Sequence, residues 1–421
     1  MKPKHWVSRR PDRVIRTGLL FIAAATLLGR ADLVNGEDAK QTDATTSSVR
    51  IDCEFPGGNI LVDRVEGDHV FLRQDPRDTP GFWFYWSFRV SGASERRLTF
   101  HFTDGKVVGV RGPAISCDDG TTWQWLDDDT VTPESFAYQF GPEETAVRFC
   151  LAIPYQQGNL ENMLQLYAGR DDFVTEEHAT SRKGRSVPRI RFGCLTKEPE
   201  YRVLLTCRHH ACEMMASWVL EGLIQSVMAE TDDGRWLREH VEFLCVPMMD
   251  MDGVEEGDQG KNRTPHDHNR DYLDEPVYPE VANLKQLIPK WSAGRLRLAI
   301  DLHCPYIRGG NNQEVFFVGG PDEEMAKRLA SFSQVLESVQ SGSLRYDPKH
   351  NIPWGKSWNS MVEARSFGRW AALLPGMDIA TTLETPYADA GNAPVTVQSA
   401  RALGRDLALT IKNWLARRTV D

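Results

Sequence analysis

Apolar positions change their spacing part-way along this chain. From Val49 to Tyr155 they come in short runs, among them "NILVDRV", "DHVFLRQD", "FWFYWSFRV" and "RLTFHFTDG", broken by Gly, Asp and Pro. Alternation inside the runs, with a turn signal roughly every ten residues, predicts an antiparallel β-sandwich over 49–150 and no helix of any length. Beyond it the texture differs. "YRVLLTC", "VEFLCVPM", "RLRLAIDLH", "EVFFVGG" and "DIATTLET" are strand-like and mostly continuous in apolar character, as buried strands are. Between them the spacing predicts helices. In "EMMASWVLEGLIQSVMAE" the residues Met215, Val219, Leu223 and Val227 fall on one i, i+4 row. Further helices are expected over 277–291 and 322–340, and over 396–417 behind Thr396. The fold class expected for 151–421 is therefore α/β, with a mixed, largely parallel sheet and flanking helices.

Residues 1–36 have a different character. A basic start (Lys2, Lys4, Arg9, Arg10, Arg13, Arg16) precedes the apolar "GLLFIAAATLLG" at 18–29. That stretch is too short for a membrane span and suits a signal peptide, so an exported protein is expected, periplasmic or extracellular. Polar residues 37–48 then form a linker. The whole chain has a net charge of -10, and removing the segment takes away seven basic and two acidic residues, leaving -15. Such a surface argues against nucleic acid and against an anionic membrane as partners of the mature form. The eight cysteines form no short-spaced framework, and buried free thiols are the expectation for Cys150, Cys194 and Cys245.

Candidate chemistry gathers where strands end. "RHHACE" closes one strand and opens a helix, and "DLHC" and "TLET" close two others. Ligands of open α/β sheets bind beyond the carboxyl ends of strands, so these three clusters can converge. His210, Glu213 and His303 then offer two imidazoles and one carboxylate, which leave zinc an open position. His209 and Cys212 share the same spacing, so chemistry alone leaves the pair open. The polar stretch "DMDGVEEGDQGKNRTPHDHNRDY" supplies Asn269 and Arg270, an amide and a planar fork suited to a carboxylate, with Arg263 or Lys261 as a nearby charge. Glu384 stands in an apolar strand, where a carboxylate near a metal can act as a base.

Taken in order, "HACEMMASWVLEG", "VPMMDMDGV", "HNRDY", "DLHC" and "TLET" resemble the zinc carboxypeptidases of the carboxypeptidase A type, and most of all their cytosolic-carboxypeptidase branch. The likeness covers nearly all of the chain after residue 36. It implies a carboxypeptidase-like domain behind a β-sandwich and one zinc ion per chain, held by His210, Glu213 and His303. It implies Glu384 as the base that activates the attacking water and Arg263, with Lys261 as the alternative, as the group stabilising the developing oxyanion. Asn269 and Arg270 would grip the free C-terminal carboxylate of a peptide substrate. Arg369, fifteen residues before Glu384, stands where the family's side-chain pocket has its base and implies a preference for acidic C-terminal residues. Cys212 and Cys304 depart from the family pattern. So does the lack of a tyrosine about twenty residues before Glu384, where Trp358 and Trp370 are the nearest large aromatics. The competing readings are an amidohydrolase of N-acyl amino acids, a cell-wall peptide carboxypeptidase, and a non-catalytic peptide-binding protein.

Overall fold

The computed structural model describes residues 49–360 and 365–417. The expected signal peptide and the expected linker lie outside them. Nine strands between Arg50 and Cys150 form two sheets, one of five strands and one of four. Alternation is visible in burial: Leu98, Phe100 and Phe102 of the Arg97–Phe102 strand face inward, and Arg97, Thr99 and His101 do not. Ring contacts of Phe100 with Phe88, Phe136 and Phe149, at 5.0–5.4 Å between centroids, fill the space between the sheets. One pairing differs from the expectation of a purely antiparallel sandwich. His69–Arg73 and Arg97–Phe102 run parallel. The chain between them leaves to build Ser87–Ser91 in the other sheet, which provides the long crossover a parallel pair needs.

The second sheet has seven strands. Tyr201–Cys207, Val241–Val246, Leu296–His303 and Ile379–Glu384 run parallel at its centre. Its margins are antiparallel: the hairpin Phe173–Thr180 with Ser186–Gly193 on one side, and Phe316–Val318 on the other. The central strands are buried on both faces, which is why their sequences lack alternation. Expected helices appear as Met214–Met228, Pro279–Ser292, Glu323–Val339 and Val397–Ala416, the last capped by the Thr396 hydroxyl, which accepts from Ser399 N. The Met214–Met228 and Val397–Ala416 helices pack backbone to backbone. A Cβ on Gly222 would lie 2.1 Å from Arg401 O, and one on Gly404 2.0 Å from Val219 O. Among the described residues no helix is long and apolar enough to cross a membrane, and all cysteines there are free thiols.

Candidate active site

Three parallel strands deliver the chemistry at their carboxyl ends. Tyr201–Cys207 turns at Arg208, whose φ of 60° lies in the left-handed region that non-glycine residues adopt only under constraint. The constraint is Arg208's own guanidinium, 1% exposed. Its Nε donates to Ala211 O at 2.9 Å and its Nη1 to Tyr155 O at 2.8 Å, closing a tight loop around His210. Glu213 follows immediately before the Met214–Met228 helix. On adjacent strands His303 and Glu384 are register partners.

The ligand atoms converge. His210 Nδ1 stands 2.8 Å from Glu213 Oε1, and His303 Nδ1 2.6 Å from Glu213 Oε2. All three side chains are buried, with ligating atoms within 4.8 Å of one another. The far nitrogen of each histidine faces a carboxylate: His303 Nε2 lies 2.5 Å from Asp301, and His210 Nε2 lies 3.6 Å from Asp267. Two imidazole nitrogens and a carboxylate, with the imidazoles backed by further carboxylates, fit zinc. His209, Asp301 and His303 form a second close group. Both nitrogens of His209, however, are engaged, Nδ1 with Asp301 and Nε2 with the Tyr272 hydroxyl, each at 2.8 Å. His209 therefore supports Asp301 from behind, and Thr206 Oγ1 donates to the same carboxylate oxygen at 2.8 Å. Burial pushes the Asp301 carboxyl up, but His209 and His303 outweigh it and hold it well below the usual range.

Glu384 is buried, and its Oε2 has no hydrogen-bond partner. Burial pushes its carboxyl up to about 7, against the pull of His303. The amide of Asn269 reaches towards His303 Nε2 at 3.4 Å and accepts from Phe367 N at 3.0 Å. Arg270, half-buried, donates to its neighbour's carbonyl, Asn269 O.

Arg263 requires a correction. Its Nη2 bonds Asp258 at 3.0 Å and lies 3.2 Å from Asp250, with Asp78 beside its Nε. A guanidinium committed to three carboxylates is not available to an oxyanion. Lys261 stands at the cluster instead, its Nζ 3.2 Å from Glu213 Oε1. Burial lowers the pKa of this ammonium, yet Glu213 and Glu384 more than offset that and keep it charged. Arg369 stacks on Trp354, with its guanidinium carbon 3.7 Å from the ring centre. Cys212 Sγ sits 3.4 Å from the Tyr387 hydroxyl, and Cys304 is wholly buried. Arg208, Tyr272 and Asp267 escaped the sequence reading, and Asp301 entered it only as part of "DLHC", with no role of its own. Only Asp301 had a visible signal, as the acid two residues before a ligand histidine.

Residues 160–284 match the family model described as zinc carboxypeptidase. That match spans 125 of the 421 residues, from the residues before the hairpin Phe173–Thr180 with Ser186–Gly193 to the Pro279–Ser292 helix. Human cytosolic carboxypeptidase 6 is 29% identical over 326 residues, covering 68% of this chain and 62% of that protein. This chain thus spans somewhat less than two thirds of that relative. A protein of Zymomonas mobilis is 22% identical over 85% of this chain and 94% of its own length. The metallo-carboxypeptidase of Burkholderia cenocepacia superposes with a TM-score of 0.75 at 20% identity, covering 88% of this chain and all of that one. That of Pseudomonas aeruginosa gives 0.72 at 22% identity, over 87% and 99% of the two chains. The names of the curated relatives overturn the expectation of export. The named ones from human, mouse, cow and frog are cytosolic carboxypeptidases.

Proposed function

We propose that this metallocarboxypeptidase removes C-terminal residues, acidic ones by preference, from peptides that end in a free carboxylate. One zinc ion per chain is assigned to His210, Glu213 and His303. Bound there, it supplies a Lewis acid that works at neutral pH. Glu384 takes the proton of the attacking water and returns it to the departing amine, a role that suits a buried carboxyl titrating near neutrality. Lys261, beside Glu213, stabilises the charge that the scissile carbonyl gains. Asn269 and Arg270 hold the terminal carboxylate, the grip that makes an exopeptidase. Arg369, two residues from the Phe367 amide that fixes Asn269, provides the charge for an acidic side chain.

The observation that carries this reading is one convergence. Two Nδ1 atoms face opposite oxygens of Glu213, and Glu384 stands in register with His303 on the next strand. The test is release of amino acids from N-blocked peptides ending in Glu, Phe, Lys or a D-residue. Glu release is expected to stop on chelation and return with zinc. Glu384→Gln is expected to keep its zinc and lose roughly 10²- to 10⁴-fold in kcat. Arg369→Ala is expected to erase the preference for Glu over Phe. No release from any peptide by zinc-loaded protein would discard the carboxypeptidase reading in favour of an amidohydrolase or a binding protein.

A further inference from the structure

The loop that carries Lys261 is held from two sides, and the β-sandwich supplies one of them. Gly257 approaches Gly57 and Gly58 so closely that a Cβ on it would lie 2.5 Å from Gly58 O. Asn59 Nδ2 donates to Gly257 O at 2.9 Å, and Gly57 N to Glu255 O at 2.9 Å. Arg77 donates to Asp258 Oδ1 at 2.8 Å and to Glu256 O, and Thr264 N donates to Asp78 O at 3.0 Å. Gln259 joins the two sides. Its side chain accepts from Phe84 N at 2.7 Å and donates to Phe82 O at 3.3 Å. Its carbonyl accepts from Cys212 N at 3.1 Å, inside the turn between His210 and Glu213. Gln259 is 1% exposed and lies two residues before Lys261.

We infer that Gln259 is a positioning residue: anchored on the Phe82–Phe84 backbone of the sandwich, it sets the Lys261 ammonium against Glu213 and thereby tunes both zinc affinity and the catalytic step. The claim rests on the role given to Lys261 above. A buried amide paired to two backbone groups fixes the loop more tightly than apolar packing, because every alternative leaves a polar group unpaired. A cation 3.2 Å from a ligand carboxylate weakens that carboxylate's hold on a metal ion, so displacing Lys261 tightens zinc.

The experiment is a double-mutant cycle between Gln259→Met and Lys261→Ala, read by zinc affinity in chelator competition and by kcat and KM on an N-blocked peptide. Lys261→Ala is expected to tighten zinc about tenfold, the scale of changes around metal ligands. Gln259→Met should move zinc affinity the same way and lower kcat by about 10- to 100-fold with KM little changed. In the Lys261→Ala background it should change neither. Equal effects with and without Lys261 would overturn the inference, because a merely structural amide acts regardless of the lysine. If Gln259→Met does not fold, Arg77→Ala runs the same cycle from the sandwich side, with Arg77→Lys restoring wild-type values. A wild-type protein that cleaves no peptide would sink the functional reading, while the zinc cycle would still decide this one.

Discussion

Lys261 carries its charge 3.2 Å from a ligand carboxylate, whereas Arg263, two residues on, is packed among Asp78, Asp250 and Asp258. The two cations should therefore fail differently. Lys261→Ala is expected to fold normally, retain zinc and lose about 10²- to 10³-fold in kcat, the usual cost of one oxyanion donor. Arg263→Ala leaves buried carboxylates short of a counter-charge, which costs about 3–5 kcal/mol and should appear as a marked fall in Tm. Thermal melts beside kinetics separate the cases; a stable, inactive Arg263→Ala would reverse the assignment. The sequence could not choose between these cations, because a polar loop has no periodicity to fix which side chain turns inward. His210 and His209 pose a similar problem. Adjacent histidines at a strand end point to different sides, one to Glu213 and the other to Asp301, and only the resemblance chose between them.

At the scale of elements, the Met214–Met228 and Val397–Ala416 helices cross where Gly222 and Gly404 remove both side chains from the contact. A Cβ on Gly404 would meet Val219 O and the Leu223 amide, backbone atoms that no rotamer change can clear. Gly404→Ala should therefore force the helices apart and destabilise by about 1–3 kcal/mol, even though alanine is the better helix former. Denaturant unfolding checks it; an unchanged midpoint would mean the helices slide without loss. These helices were legible from the 3.6-residue spacing, as the central strands were from their uninterrupted apolar runs. The hairpin Phe173–Thr180 with Ser186–Gly193 was not, because Glu176, Glu177, Arg189 and Arg191 give its strands the look of a charged surface loop. Nor was the parallel pair in the sandwich, since an alternating strand reads the same whichever way its neighbour runs.

At the scale of the molecule, the sandwich and the catalytic sheet share polar contacts that neither can satisfy alone. Arg111 Nη2 lies 2.5 Å from Asp389, five residues past Glu384. Trp125 Nε1 donates to Val395 O at 2.8 Å. The buried guanidinium of Arg208 uses Tyr155 O as an acceptor, beyond the last sandwich strand. Phe84 places its ring between Tyr306 and Tyr387, at 5.6 and 6.0 Å, each three residues past a site residue. Cutting the chain before Leu151 would remove the sandwich groups that pack on Gln259, Tyr306 and Tyr387 and leave the Lys261 loop without its anchor. The expected outcome for residues 151–417 expressed alone is therefore aggregation, or a soluble fragment with altered zinc affinity and almost no turnover. A monomeric fragment with wild-type kcat and wild-type zinc affinity would show the seam to be packing without consequence. Sequence patterning distinguished two regions by texture, and it took "FWFYWSFRV" as one apolar run of the sandwich. The strand in this stretch is Ser87–Ser91. Trp86 just before it stays in the sandwich core against Phe88, Phe102 and Phe136, whereas the backbone of Phe82 and Phe84 holds Gln259 of the active-site loop, a role that a pattern of apolar positions cannot distinguish from core.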